Sequence, residues 1–299
     1  MPTSLVHITF IEELGRDQKI EPSLSSSIVQ RPELAGLGAV LPDLQYYEYF
    51  YRLSLRYLLG FSLPFAPWGY LFHSRAPAAL GRALIEVLRK EPVKEQPDAK
   101  LALIAGYFSH LALDRTLHPL VQSLVDAEGR NDDHAKAIHG TCERYQSLFF
   151  HREIYGVDIT GSPICCQKVR LLPPGRRKLD GPIYFFLQKA CLETFARFPR
   201  KKQFDNWIRG LYLYGWFLSS PLGRYEGLRG DISALRSKYF ENEKFSFSEH
   251  YRRGKELAVR YLNSAYSYWQ QEEFPEEIRK RFLDQITEVD LGYPLTRGI

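Results

Sequence analysis

The most constraining stretch of this chain is Gly106-Tyr-Phe-Ser-His110-Leu-Ala-Leu-Asp114-Arg-Thr-Leu-His118-Pro119. From Lys100 to Arg115 it holds a single acid, Asp114, and is otherwise largely apolar on every side, so a helix built from it must be buried. His110, Asp114 and His118 recur at i, i+4 and i+8 and share one stripe, the outer pair separated by about 12 Å of helix rise. One ion cannot take both histidines, but the carboxylate between them can bridge two nearby cations. A buried Asp is costly unless it is paired or metal-bound, so the stripe points to a metal cluster inside a helical protein. Pro119 is expected to end or kink the helix and tip His118 toward the next element.

The following helix offers a second i, i+4 pair, His139 and Glu143, of the kind that facing helices donate to metal sites in bundle cores. His118 with His139 and Glu143 would make a three-ligand zinc site with an open position. Upstream, Asp43, His73 and His7 supply the further ligands a cluster around Asp114 would need. Asp43 reads equally as the N-cap of the aromatic run 44–59. His134, His151 and His250 lie off the pattern and read as solvated or capping residues.

Around these motifs the sequence predicts helices almost throughout. They span Thr3 to Leu14, Leu44 to Leu59, Ala78 to Arg89, Ala99 to His118, His134 to Phe150, Ile183 to Phe198, Trp207 to Ser219, Ser248 to Gln271 and Pro275 to Ile286. The stretch from Pro22 to Pro32 and the aromatic stretch from Phe61 to Phe72 read as loops. Apolar residues among the Gly, Pro and Cys of 156–181 suggest a small hairpin insert. With no linker or repeat, the expectation is an all-α single domain over 1–299, its metal core in 1–150 and further helices in 180–299.

A net charge of +5 is too mild to argue for nucleic acid. The longest uncharged stretch, Tyr57 to His73, is too short and too proline-broken to span a bilayer. No basic and apolar leader opens the chain, and four cysteines without a CxxC pair suit a reducing compartment, so a cytoplasmic location is expected.

In this order, His7, Gly36-Leu-Gly-Ala-Val-Leu-Pro-Asp43, His73, His110-x3-Asp114-x3-His118-Pro and His139-x3-Glu143, the chain resembles the zinc-dependent phospholipase C family. The resemblance covers roughly the first half. It implies an all-α fold in which Asp43, His73, His110 and Asp114 hold one zinc, His118, His139 and Glu143 a second, and His7 with bridging Asp114 a third. Two or three zinc ions are therefore expected as the only cofactor. The implied reaction is phosphodiester hydrolysis by a zinc-activated water, with Asp43 activating or orienting that water. The implied substrate is a phospholipid, cleaved to diacylglycerol and a phosphorylated headgroup, with peripheral membrane contact. Two alternatives stay open: a phosphoesterase acting on nucleotides or oligonucleotides, and a non-catalytic protein that keeps zinc for folding. The aromatic loop 61–72 and the basic runs at 176–178 and 200–202 could face lipid, or be a core lid and solvated loop ends.

Overall fold

In the computed structural model, residues 3–48, 66–91, 95–128, 132–156, 158–173, 175–227, 231–242, 244–271 and 276–288 are described. Their longer helices are α1 (Thr3–Leu14), α2 (Pro22–Gln30), α3 (Pro32–Val40), α4 (Pro77–Lys90), α5 (Pro97–Ala127), α6 (Asp132–Tyr155), α7 (Gly181–Phe195), α8 (Lys201–Leu218), α9 (Phe247–Gln270) and α10 (Glu276–Gln285). No strand occurs among the described residues; Glu241 and Ser246 form an isolated antiparallel bridge. The fold is all-α, as its hydrophobic patterning predicts. Among the described residues no helix is long and apolar enough to cross a membrane.

Proline marks the helix starts. Pro22, Pro32, Pro67, Pro77, Pro97 and Pro182 each stand in the first turn of a helix, where an amide N–H has no partner to lose. This corrects the expectation of a loop from Pro22 to Pro32, which is α2 and the start of α3. It also corrects the aromatic stretch. Pro67–Tyr70 is helical and runs into a π-turn at Leu71–Arg75 that carries His73, while residues 61–65 lie outside the described residues. That short helix is capped from a distance: Gln45 Oε1 accepts the amides of Trp68 and Gly69 at 2.6 and 2.9 Å. A cap supplied from 23 residues away leaves no local signal.

The central helix is α5, buried on all sides from Ala99 to Asp114 and packed by α1, α2, α3, α4, α6 and α9. It continues past Pro119 to Ala127, so of the two expectations, an end or a kink there, the end does not occur. Pro119 is exposed, so the carbonyl it strands faces the outside, while Leu117, Leu120 and Val121 on the inner side stay packed in the core. At the crossing of α3 on α5 the two backbones approach closely. A Cβ at Gly38 would sit 1.9 Å from the Leu103 carbonyl oxygen, and one at Gly106 2.0 Å from that of Ala35. Only glycine permits this approach.

The hairpin expected in 156–181 does not form among the described residues. Ile164–Lys168 is instead a short helix packed on α1 and α8, and Ile159, Val169 and Leu171 bury their side chains in the core. Gly161, at φ +78°, donates its amide to the Leu218 carbonyl at 2.7 Å, tying the segment to α8 rather than to a partner strand. The C-terminal part braces the rest. Glu288 accepts the amides of Ala78 and Ala79 at the start of α4, and one hydrophobic cluster extends from Leu5 to Ile286.

Candidate metal centre

All eight sequence-selected residues lie among the described ones, and they form one connected cluster. Asp114 is at its middle. Its Oδ1 meets His7 Nε2 at 3.1 Å, and its Oδ2 meets His110 Nε2 at 3.0 Å and His118 Nε2 at 3.4 Å. On one side His110 Nε2 faces His73 Nε2 at 3.3 Å, and His73 Nε2 lies 3.2 Å from Asp43 Oδ1. On the other, His118 Nε2 lies 3.9 Å from Glu143 Oε1, which His139 Nε2 meets at 2.9 Å. Every member is buried except His118, whose side chain is 21% exposed.

Helix periodicity sets half of this arrangement. The i, i+4 and i+8 spacing on α5 and the i, i+4 spacing on α6 aim five donors inward. The rest depends on main-chain contacts. Where α3 crosses α5, the Ala39 carbonyl accepts the Nδ1–H of His110 at 2.8 Å, and in the π-turn the Gly69 carbonyl accepts that of His73 at 2.9 Å. With Nδ1–H so engaged, either ring in its neutral form presents the Nε2 lone pair to the cluster. Two such lone pairs 3.3 Å apart repel unless a cation or proton stands between them. Two ligand atoms each about 2.1 Å from a tetrahedral zinc stand roughly 3.4 Å apart, so the pair fits one ion.

Among the described residues, three groups bring their ligand atoms within 4.8 Å of one another: His7, His110 and Asp114; Asp43, His73 and His110; and His118, His139 and Glu143. Burial works against ionising Asp43, yet the hydrogen bond from His73 and the charges of His110, His73 and His7 outweigh it and hold the carboxyl at about 2. Against burial, His110, His118 and His7 hold Asp114 well below the usual carboxylate range. Against burial, His139 and His118 lower the Glu143 carboxyl as well. Burial pushes the His118 imidazole down despite the pull of Asp114. Burial would also lower His7, but the Asp114 carboxylate on its Nε2 raises it. Ionised carboxylates around imidazole lone pairs are a hard and borderline donor set suited to zinc.

The profile of the zinc dependent phospholipase C family matches residues 6–212. The chain belongs to that family. Searches of curated proteins and of solved structures give no match. The family is zinc-dependent, and its name points to phosphodiester hydrolysis as the class of chemistry. The matched region holds all eight cluster residues, from His7 to Glu143.

Sequence reasoning missed the residues behind the cluster. Ser4, one turn before His7 on α1, donates from Oγ to Asp43 Oδ2 at 3.4 Å, and the Tyr47 hydroxyl donates to Ser4 Oγ at 2.6 Å. Both signals were present: Ser4 is i−3 from His7 and Tyr47 is i+4 from Asp43. The Asp43 carboxylate is thus turned to Ser4 and His73, while its main-chain carbonyl accepts the Tyr46 amide at the start of the helical turn 44–48. His151 is fully buried rather than solvated. It accepts or donates through Nε2 to Thr9 at 3.2 Å and binds the Ser147 carbonyl at 2.7 Å. His250 binds the Ser246 carbonyl at 2.8 Å at the start of α9, and the side chain of His134 lies outside the described residues.

Proposed function

We propose that this member of the family is a zinc-dependent phosphodiester hydrolase that cleaves phospholipids to diacylglycerol and a phosphorylated headgroup. The observation that carries the reading is Asp114, one buried carboxylate within 3.4 Å of three imidazoles, with a separate donor group on either side. Asp43, His73, His110 and Asp114 would hold one zinc, His118, His139 and Glu143 a second, and His7 with Asp114 a third. Bound there, the ions would lower the pKa of a water toward about 7 and offset the charge that builds on the phosphate.

The chain's own residues have defined work in this reaction. Asp43, ionised throughout the neutral range, orients the attacking water and takes its proton, while Ser4 and Tyr47 hold one carboxylate oxygen in place. As the new oxygen–phosphorus bond forms, the bond to the diacylglycerol oxygen breaks, and that oxygen leaves with a proton. His110 and His73, their Nδ1–H groups fixed on main-chain carbonyls, keep their Nε2 atoms aimed inward. The partial exposure of His118 favours hydrolysis over a purely structural zinc site, because it leaves one side of the cluster reachable from outside.

We further read residues 1–299 as one domain, which the continuous hydrophobic cluster from Leu5 to Ile286 supports. Four unpaired cysteines, three of them buried, favour a cytoplasmic, reducing setting. The test is to purify the protein without chelator, count zinc per chain by elemental analysis, and assay the same sample on phosphatidylcholine and bis-p-nitrophenyl phosphate. Two or three zinc ions with turnover of phosphatidylcholine are expected. Zinc without turnover would favour the scaffold reading, and a zinc-free active protein would overturn the assignment.

A further inference from the structure

Residues 176–202 carry eight Lys and Arg against two acids, a net +6 in a chain whose total is +5. This one segment therefore accounts for the net positive charge of the protein, the rest of the chain summing to −1. Its two basic runs, 176–178 and 200–202, are far apart in sequence but joined in space. The Leu179 amide donates to Asp205 Oδ1 at 3.0 Å, just past the second run, and the Tyr184 hydroxyl donates to the Pro199 carbonyl at 3.4 Å, just before it.

Between the runs lies α7. Its inner face buries Ile183, Phe186, Leu187 and Ala190 and packs against α4. Its outer face presents Phe185, 64% exposed, and Leu192, 42% exposed, at i and i+7, with Lys189 exposed between them. Large apolar side chains displayed beside dense positive charge match a surface of apolar tails beneath anionic headgroups. The C-terminal end of the same helix packs on the segment that carries His73. Phe195 meets Trp68 and Phe72 with ring centroids 6.5 and 5.9 Å apart, Arg197 lies 5.3 Å over the Trp68 ring, and Phe72 directly precedes His73.

We propose that the outer face of α7, centred on Phe185 and Leu192 and flanked by the basic runs 176–178 and 200–202, docks the protein on an anionic phospholipid bilayer. The purpose of such a face rests on the hydrolase reading above, but its existence is tested separately.

The experiment uses the full chain in vesicle co-sedimentation, with pure phosphatidylcholine or with phosphatidylcholine containing phosphatidylserine, alongside hydrolysis of soluble bis-p-nitrophenyl phosphate. The wild type should sediment with the anionic vesicles and be released by high salt. Phe185→Ser with Leu192→Ser, and separately Arg200→Glu with Lys202→Glu, should each weaken vesicle binding at least tenfold and leave hydrolysis of the soluble diester unchanged. Trp216→Ser is the control. Trp216 is 67% exposed but about 22 Å of helix away from Lys201, and its replacement should not affect binding. Failure of the wild type to sediment, vesicle binding by both double variants equal to wild type, or an equal loss in the Trp216 variant would overturn the docking face. Binding with no turnover of any diester would instead uphold the face and sink the hydrolase reading.

Discussion

The Nε2 atoms of His73 and His110 face each other at 3.3 Å while the opposite nitrogen of each ring is bonded to a main-chain carbonyl, Gly69 for His73 and Ala39 for His110. The first carbonyl belongs to the helical segment that carries His73 itself, and the second reaches across the α3 and α5 crossing. Local and long-range structure therefore meet in one pair of ligands. Its integrity depends on how closely two helices pack.

Gly106→Ala tests that dependence. A methyl 2.0 Å from the Ala35 carbonyl must push α3 away from α5 and lengthen the His110 bond to Ala39. The expected result is a loss of about 2–3 kcal/mol of stability by denaturant titration, with zinc retained less well against chelator. Unchanged stability and zinc content would show that the crossing can relax.

Asp114 and Asp43 should separate metal binding from turnover. Asp114→Asn removes the charge shared by three imidazoles and should lose zinc and stability together. Asp43→Asn should keep most of the zinc and lower kcat at least a hundredfold. Full activity in the Asp43 variant would end its assignment as the group that handles the water's proton.

Tyr47→Phe and Ser4→Ala cut the chain of hydroxyls behind Asp43. Each should lower kcat by about tenfold, roughly 1.4 kcal/mol of barrier, with zinc content unaltered. Ser4→Thr, which keeps the hydroxyl, should recover much of the loss. A change in KM alone would point to a different role.

Chelation should reveal how far the ions hold the fold together. Without them, three carboxylates and five imidazoles crowd one largely buried cluster. If free zinc exceeds Kd about a thousandfold, binding contributes roughly 4 kcal/mol, so removing zinc should lower Tm by on the order of 10 °C in calorimetry. An apo-protein melting with the holo-protein would mean that the cluster is stable empty.

His151 provides a pH test away from the cluster. Burial depresses its imidazole from 6.5 to about 4, so the folded state binds fewer protons than the unfolded one between those values. Its share of stability is complete above pH 6.5 and is lost as the pH falls toward 4, amounting to about 3 kcal/mol at 1.36 kcal/mol per unit. His151→Gln should show a shallower decline than wild type over that window in denaturant titrations. Parallel curves would rule out His151 as a contributor.

The sequence by itself determined the all-α fold, the buried central helix and the spacing of its ligands, because a 3.6-residue period projects i and i+4 onto one face wherever the helix lies. From the same spacing His110, Asp114 and His118 could be read as a bridged set, and His139 with Glu143 as a second. Helices starting at Pro22, Pro32 and Pro67 were legible in principle from proline in the first turn, but Pro22–Gln30 is serine-rich and reads as a loop, and the apolar, glycine-containing stretches Pro32–Val40 and Pro67–Tyr70 carry no amphipathic period to confirm them. Tertiary structure alone decided the remainder. The Gln45 cap on the His73 segment, the Ala39 carbonyl on His110, the Ser4 and Tyr47 support behind Asp43 and the merging of two basic runs beside α7 all join residues far apart in the chain. Such contacts follow from which surfaces pack together, and a local periodicity carries no information about that.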